Sequence, residues 1–473
     1  MGAIDEFREA SQWARDRIDE GNPVLVVTHN DADGLTSGTI AHLALRRAGC
    51  PVQTRGIKQL EEPIVKELAK EKRPAIVFTD MGSGQLSAIE EYLSRDTHVL
   101  VLDHHEPEMT EEDGVVHLNA HNLGMDGARE ISGAGMAYLF AKTLDDRNTD
   151  LATLAVIGAL GDNQGAPGYM RGENVNILKD AQEAGMLRVE KDLRLFGRQT
   201  RPLYKAIEYT TEPFIPGLSG SESRCVQFLK DLDIPVKRDD RYVMLADLTP
   251  EERQRLTTAL ILKMIEYRVP QKVAEGIVGE VYTLVKEEKR TPLRDAREFA
   301  TLLNACGKNE KYGLGIAICM GDRGKSLEGA LEMLKEHKGQ LVSYYNWLSE
   351  NQDRIKQRET LYHFHAGTEI HEAIIGTVAG MLLGSRTLDP ILPVIAFIET
   401  PEGKIKVSAR GTRELVEKGL NLGRVMDYAA GRAGGEGGGH DIAAGAYIPK
   451  GREEEFLEYA QQEIRRQTGE DGS

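Results

Sequence analysis

The sequence predicts an α/β fold: a parallel-sheet domain, an α/β insert module, and a smaller C-terminal α/β domain joined to them by a long helix. Three observations predict it. The short apolar runs Val24–Thr28, Ala75–Asp80 and His98–Asp103 have the length and continuity of strands buried on both faces. Helical patterns such as Leu35–Ala48 and Glu62–Lys70 separate them, and such alternation builds parallel sheets through right-handed crossovers. Each run ends in a polar cluster (THNDADG, TDMGSG, LDHHE), at the strand ends where open α/β sheets bind ligands.

The elements follow in order. MGAIDEFREASQWARDRIDEG reads as an amphipathic acidic helix and lacks the basic start and apolar core of a signal peptide. Leu151–Leu160 is apolar nearly all round, as a buried helix is, and ends in Gly161 and Asp162. An acid at the end of a buried helix is costly without a partner. YTTEPFIPGLSG reads as an ordered turn, after which a separate α/β module runs to about Arg323. Leu334, Leu341, Leu348, Ile355 and Tyr362 recur every seven residues, the seam of one long helix, which Gly339 weakens. A helix Ile374–Leu383, strands Pro393–Ile398 and Lys404–Ala409, a helix Arg413–Ala430 and the loop GRAGGEGGGHD complete the last domain. The resulting division is 1–195, an insert 196–325, a connecting helix 326–362 and a last domain 363–473.

Composition narrows the function. With 59 basic against 75 acidic residues the net charge is −16, which excludes a uniformly basic nucleic-acid coat. Any nucleic acid must then meet a local basic patch or a bound metal. Four scattered cysteines form no CxxC pair, which suits a reducing cytoplasm and argues against a zinc ribbon. No apolar run reaches the ~18 residues of a membrane span.

His29, Asp31 and Asp33 form H-x-D-x-D-G, and alternate residues on an extended segment point to one side. Asp80, Asp103, His104, His105 and Asp162 add candidates. Carboxylate and imidazole without thiolate suit Mn²⁺ or Mg²⁺. Asp31, Asp33, Asp80 and Asp162 bring together four negative charges, which two divalent cations cancel. Such a pair activates water and stabilises in-line displacement at phosphorus.

HNDADG, TDMG, DHHE and GALGD, in this order, resemble the four motifs of the DHH phosphoesterase superfamily. The resemblance implies His29, Asp31, Asp33, Asp80, His104 and Asp162 as ligands of two Mn²⁺ ions, with Mg²⁺ an alternative. It implies that His105 contacts the scissile phosphate and that Asp103 orients a ligand. In the strand KIKVSAR, the residues Lys404, Lys406, Ser408 and Arg410 alternate with Ile405, Val407 and Ala409, giving a basic strip opposite an apolar face. Glycines in a loop let backbone N–H groups approach an anion. The strip and the GGGH segment together resemble the C-terminal DHH-associated domain. That likeness implies phosphate binding by Ser408, Arg410, Gly438, Gly439 and His440.

REISGAG, EPFIPGLSG, PLRDAREFATLLNACG and GLGIAICMGDR extend the resemblance to the archaeal RecJ-like exonucleases, related to the GINS-associated nuclease. It implies a Mn²⁺-dependent exonuclease on single-stranded DNA, working from the 5′ end in replication or repair. It also implies an insert that docks GINS or other replication proteins. Two alternatives stand: a 3′ to 5′ RNA or short-oligonucleotide phosphodiesterase, and a non-catalytic replication scaffold. Asn119–Ala120 replaces the common Asn-Pro, which is expected to loosen that turn.

Overall fold

Apolar runs closed by polar residues become strands because only a sheet covered on both faces buries them completely. The computed structural model describes residues 3–108, 114–165, 168–210, 213–372, 374–384, 388 and 391–469. They fall into two compact units, Met1–Glu332 and Met333–Ser473.

The first unit holds a parallel sheet of β1 (Val24–His29), β2 (Val52–Ile57), β3 (Ala75–Thr79), β4 (His98–Asp103) and β5 (Val115–Asn119), in the order β2-β1-β3-β4-β5. The helices are α1 (Ala3–Asp19), α2 (Ala32–Arg47), α3 (Glu62–Lys70), α4 (Leu86–Tyr92), α5 (Gly133–Leu144), α6 (Ala152–Gly161) and α7 (Glu173–Glu183). Val65, Leu68, Leu86 and Ile89 of α3 and α4 pack with Leu25, Val27, Ile76, Phe78, Val99 and Val101 on one face. Helices α1, α2 and α5 take the other, and α6 lies against α2 and α5. The order of connection reverses between β1 and β3. Their carboxyl ends, at His29 and Asp80, flank the crevice where such sheets bind ligands.

The chain then leaves the sheet. β6 (Leu187–Leu193) pairs antiparallel with β9 (Val278–Leu284) and closes off the excursion. Between them lie α8 (Leu203–Glu208), α9 (Glu222–Asp231), the hairpin β7 (Lys237–Arg238) and β8 (Arg241–Tyr242), α10 (Pro250–Glu266) and α11 (Gln271–Glu275). These share a core around Ile207, Cys225, Leu229, Leu256 and Leu260. The segment YTTEPFIPGLSG, expected as an ordered turn, follows directly on α8, and its described residues belong to none of these helices or strands. Helices α12 (Ala296–Lys308) and α13 (Tyr312–Cys319) return to pack on α2, and α12 also on α6.

Helix α14 (Lys325–Glu350) runs through Gly339 unbroken. The heptad spacing overestimates its length, since Ile355 and Tyr362 lie beyond its end. The side chains of Leu341 and Leu348 fall outside the described residues.

The second unit has the sheet order β10-β11-β12-β13-β15-β14. Its strands are β10 (Lys356–Gln357), β11 (Tyr362–His365), β12 (Val394–Glu399), β13 (Lys404–Arg410), β14 (Glu436–Gly439) and β15 (Ala443–Pro449). The helices are α15 (Ile375–Gly384), α16 (Arg413–Glu417), α17 (Leu422–Arg432) and α18 (Glu453–Thr468). Tyr362 thus sits on a strand. The single helix expected over Arg413–Ala430 is two, because Gly419 has φ +102°, a left-handed value that no helix interior accepts. The GGGH segment is likewise not a loop: Gly437–Gly439 belong to β14, paired with β15. Glycine is needed there because β14 lies against α17, where a Cβ at Gly437 would meet the carbonyl group of Met426.

Candidate metal centre

The site is assembled from the ends of β1, β3 and β4 and from three helix termini. Asp31 caps α2, accepting from the Gly34 N–H at 2.9 Å, the interaction expected of an Asp at this position. Two residues on, Asp33 is fully buried. Its carboxylate accepts from the N–H groups of Gly133 (2.6 Å) and Ala134 (3.0 Å) at the start of α5, where the helix dipole favours an anion. Asp80 has φ +59°, a conformation that short polar side chains tolerate. Asp162 caps the C-terminal end of α6.

Six expected ligands come together. His29 Nδ1 lies 3.0 Å from Asp31 Oδ2 and 3.5 Å from Asp80 Oδ2. His104 Nε2 lies 3.1 Å from Asp80 Oδ1, 3.3 Å from Asp162 Oδ2 and 3.6 Å from Asp33 Oδ2. Among three donor groups, His29–Asp31–Asp80 and Asp33–His104–Asp162 hold the six expected ligands, and Asp80 turns one oxygen toward each; the third joins Asp80 and His104 with Asp103 and His105.

These residues fit divalent cations. His29 Nδ1 and Asp80 Oδ2 are buried and make no hydrogen bond, so each has a free lone pair or site for a ligand. His104 donates Nδ1–H to the Gly127 carbonyl at 2.7 Å, which fixes the tautomer and leaves Nε2 for coordination. The donor set is oxygen and imidazole alone, as Mn²⁺ or Mg²⁺ requires.

The charges need such ions. Burial, with Asp80 and Asp162 adding like charge, pushes Asp33 well above the usual carboxylate range. Burial and Asp80 push Asp162 up to about 7. Burial acts the same way on Asp80, but His104 and His29 outweigh it and hold that carboxyl below its usual range. Burial works against a charge on His29, yet Asp31 and Asp80 carry its pKa up to about 10.

Asp103 is placed differently from the other acids. It is buried at the end of β4, accepting from the N–H groups of Ser83 (3.0 Å), His104 (2.7 Å) and His105 (3.2 Å) and from His105 Nδ1–H (2.8 Å). The ring it orients is therefore that of His105, whose pKa it raises, while His104 uses a backbone carbonyl. The Asn119–Ala120 turn is held rather than loosened. Ala120 N–H donates to the Asp103 carbonyl at 3.2 Å, a bond proline cannot make, and Asn119 Nδ2 donates to Ser83 Oγ and the His105 carbonyl, each at 2.8 Å.

Several supports had no role assigned from the sequence, although Asn304 and Gly307 lie in the PLRDAREFATLLNACG motif. Gln164 Nε2 donates to the same Gly127 carbonyl at 2.9 Å, and to Ile131 O at 3.0 Å, tying down the segment beneath His104. Asn304 on α12 accepts from the Ala32 N–H at 2.8 Å, satisfying the N-terminus of α2. Three residues on, Gly307 lies so close to Asn30 that a Cβ would overlap its carbonyl.

In the second unit, Ile405, Val407 and Ala409 are buried as expected of the apolar face of β13. The basic face is graded. Lys404 is exposed, Lys406 half-buried with its ammonium 5.5 Å from the Tyr447 ring, and Ser408 buried. Arg410 is half-buried against α15, where Gly376 leaves room for its guanidinium, and burial lowers its pKa. Gly438 and Gly439 are strand residues, and His440 N–H donates to Ala443 O at 2.9 Å. Among the described residues no helix is long and apolar enough to cross a membrane.

Comparison with known proteins adds the following. The chain matches the DHH family N-terminal domain over residues 23–159, the DHH-CID domain over 195–278 and the DHHA1 domain over 359–466. It is 33% identical over 465 residues to the uncharacterized protein MJ0831 of Methanocaldococcus jannaschii, covering 97% of each chain. It is 30% identical over 316 residues to the single-stranded-DNA-specific exonuclease RecJ of Thermus thermophilus, covering 61% of this chain and 45% of that one. Its fold is similar to exonuclease RecJ bound to manganese (TM-score 0.58, 15% identity, 99% and 97% covered) and to CDC45 from Entamoeba histolytica (TM-score 0.66, 12% identity, 98% and 99% covered).

Proposed function

Because the chain belongs to the DHH family, in the RecJ-like type that joins DHH, DHH-CID and DHHA1 domains, we propose that it is a Mn²⁺-dependent exonuclease. In this reading it hydrolyses phosphodiester bonds from the 5′ end of single-stranded DNA, in the cytoplasm, during replication or repair. Residues 1–195 form the catalytic domain, 196–325 the insert that docks partners such as GINS, 326–362 the connection and 363–473 the substrate-binding domain.

One observation carries the proposal: Asp80 offers one oxygen to each of two donor groups, the arrangement of a bridging carboxylate. His29, Asp31 and Asp80 would hold one Mn²⁺, and Asp33, His104, Asp162 and Asp80 the other. Bound there, the ions would supply an activated water and charge neutralisation at phosphorus. The chain's own groups do the rest. Asp103 holds the His105 ring and favours its protonated form, so that the imidazolium offers Nε2–H to a phosphate oxygen. Its side chain is 57% exposed, hence reachable by substrate. Arg410, half-buried and with no carboxylate within 4.0 Å among the described residues, suits a phosphate of the strand, with Lys404, Lys406, Ser408, Gly438, Gly439 and His440 beside it on the same sheet.

A second reading, a replication scaffold, draws support from the fold likeness to CDC45. The complete donor set argues that catalysis is kept alongside any such role. The test is end-labelled single-stranded DNA and RNA, each labelled at either terminus, incubated with Mn²⁺. Stepwise release from the 5′ end of DNA, absent in Asp80→Ala, is expected. Equal cleavage by Asp80→Ala would refute the assignment.

A further inference from the structure

A cavity of about 250 Å³ in the first unit adjoins the metal centre without sharing its ligands. Asn163, the residue after Asp162, forms one wall. Arg297, Thr301 and Asn304 form another from one face of α12, and Phe196 closes the side toward the insert.

Two features of this cavity point to a ligand. The first is Arg297. Its guanidinium is half-buried, burial lowers its pKa, and no carboxylate lies within 4.0 Å among the described residues. The side-chain hydrogen bond it makes, to the Gly165 carbonyl, is 3.4 Å long, beyond the usual 2.7–3.2 Å. The nearest acid in sequence, Asp295, is occupied capping α12 through the N–H groups of Arg297 (3.0 Å) and Glu298 (3.1 Å). The second is Phe196, the aromatic ring of the lining, which is 38% exposed. The Arg201 guanidinium lies 4.8 Å from its ring centroid and 5.2 Å from that of Tyr209, so this cation has aromatic partners of its own.

A guanidinium without a carboxylate partner, as in Arg297, calls for an anion, and an exposed aromatic ring calls for a flat ring. A nucleotide has both. The volume, about 250 Å³, lies just under the ~300–1,000 Å³ of pockets for drug-sized ligands, which limits the occupant to a single nucleotide. We infer that this cavity holds one nucleotide of the substrate strand next to the scissile phosphate, its phosphate on Arg297 and its base on Phe196. The inference rests on the nuclease reading above and gives the helix α12 a part in binding substrate. The recognised class is a nucleoside 5′-monophosphate unit.

The experiment is calorimetric titration of the full chain with thymidine 5′-monophosphate, thymidine and inorganic phosphate, with Mn²⁺ and again in chelator. Binding in chelator isolates the cavity, because the ion-free carboxylates repel phosphate, and it needs no hydrolysis. A failed nuclease reading therefore shows as absent cleavage, and a failed cavity as absent binding. The wild type is expected to bind the monophosphate in both conditions. Arg297→Ala should weaken it at least ~10-fold, and Phe196→Ala should erase its advantage over inorganic phosphate. Arg297→Lys, keeping charge but not the planar fork, should fall between, and thermal melts verify that each variant is folded. Unchanged affinity in folded Arg297→Ala and Phe196→Ala, or binding seen only with Mn²⁺, overturns the inference.

Discussion

Replacing Asp162 by Asn should stabilise the ion-free protein and reduce the stabilisation that Mn²⁺ gives. In the fold, burial and Asp80 hold the Asp162 carboxyl near pKa 7, against 3.8 as its ordinary value. A raised folded-state pKa contributes stability that is full below the unfolded value and is lost as pH rises through the folded one. For Asp162 the loss therefore runs from about pH 4 to about pH 7. At pH 8, with about 1.4 kcal/mol for each pH interval between the two values, ionised Asp162 costs about 4 kcal/mol. Asn carries no charge and avoids that cost. At roughly 2 °C per kcal/mol for a unit this large, the ion-free variant should melt up to about 8 °C higher at pH 8 and about equal to wild type at pH 4. Mn²⁺ at 100 times its dissociation constant adds about 2.7 kcal/mol per site to wild type, and less to a variant whose ligand is a neutral amide. The assay is thermal unfolding of both proteins in chelator and in Mn²⁺, following the transition of the first unit. Equal melting temperatures in chelator at pH 8, or equal gains from Mn²⁺, would refute the electrostatic reasoning.

Two further outcomes follow from the supports around the site. Asn304→Ala removes the acceptor for the Ala32 N–H, and Gly307→Ala drives a methyl group into Asn30. Each should lower apparent Mn²⁺ affinity by about 10–100-fold, as loss of an outer support does, which a Mn²⁺ titration of binding or cleavage measures; unchanged affinity in folded variants would rule out a buttressing role for α12. In the same helix, burial and Asp295 raise buried Glu298 to about pKa 7 while it accepts from Gln199 N–H (2.8 Å) and Thr200 Oγ. Its contribution, about 3 kcal/mol, is present below about pH 4.5 and lost as pH rises through 7, so Glu298→Gln should flatten that part of the stability profile in denaturant melts; an unaltered slope counts against it.

The candidate ligands His29, Asp80 and Asp162 were legible in the sequence because they stand at the ends of buried strands or a buried helix, and Asp31 and Asp33 because they alternate with His29 in HNDADG. His29, Asp80 and Asp103 follow β1, β3 and β4, whose side chains are apolar on both faces. β2 was not legible. It lies at the sheet edge, where VQTRGI is half-exposed and carries no apolar run. The Gly127 carbonyl, Gln164 and Asn304 were invisible for another reason. Their roles depend on contacts across long separations, and a backbone acceptor leaves no trace in composition. Glycine misled twice. At 437–439 it marks close packing within a sheet rather than a loop, and at Gly419 its left-handed backbone divides what periodicity joins.

The hydrogen bond from Ala32 to Asn304 also has a consequence for the newborn chain. All the proposed metal ligands have been translated once residue 162 is added, but Asn304 and Gly307 arrive only on the order of ten seconds later. Until then the HNDADG segment has no floor, and the start of α2 has an unanswered amide. The candidate metal centre would therefore mature last, after the ribosome has made nearly all of the first unit, and a half-made polypeptide would hold ions there only poorly while still tethered to single-stranded message.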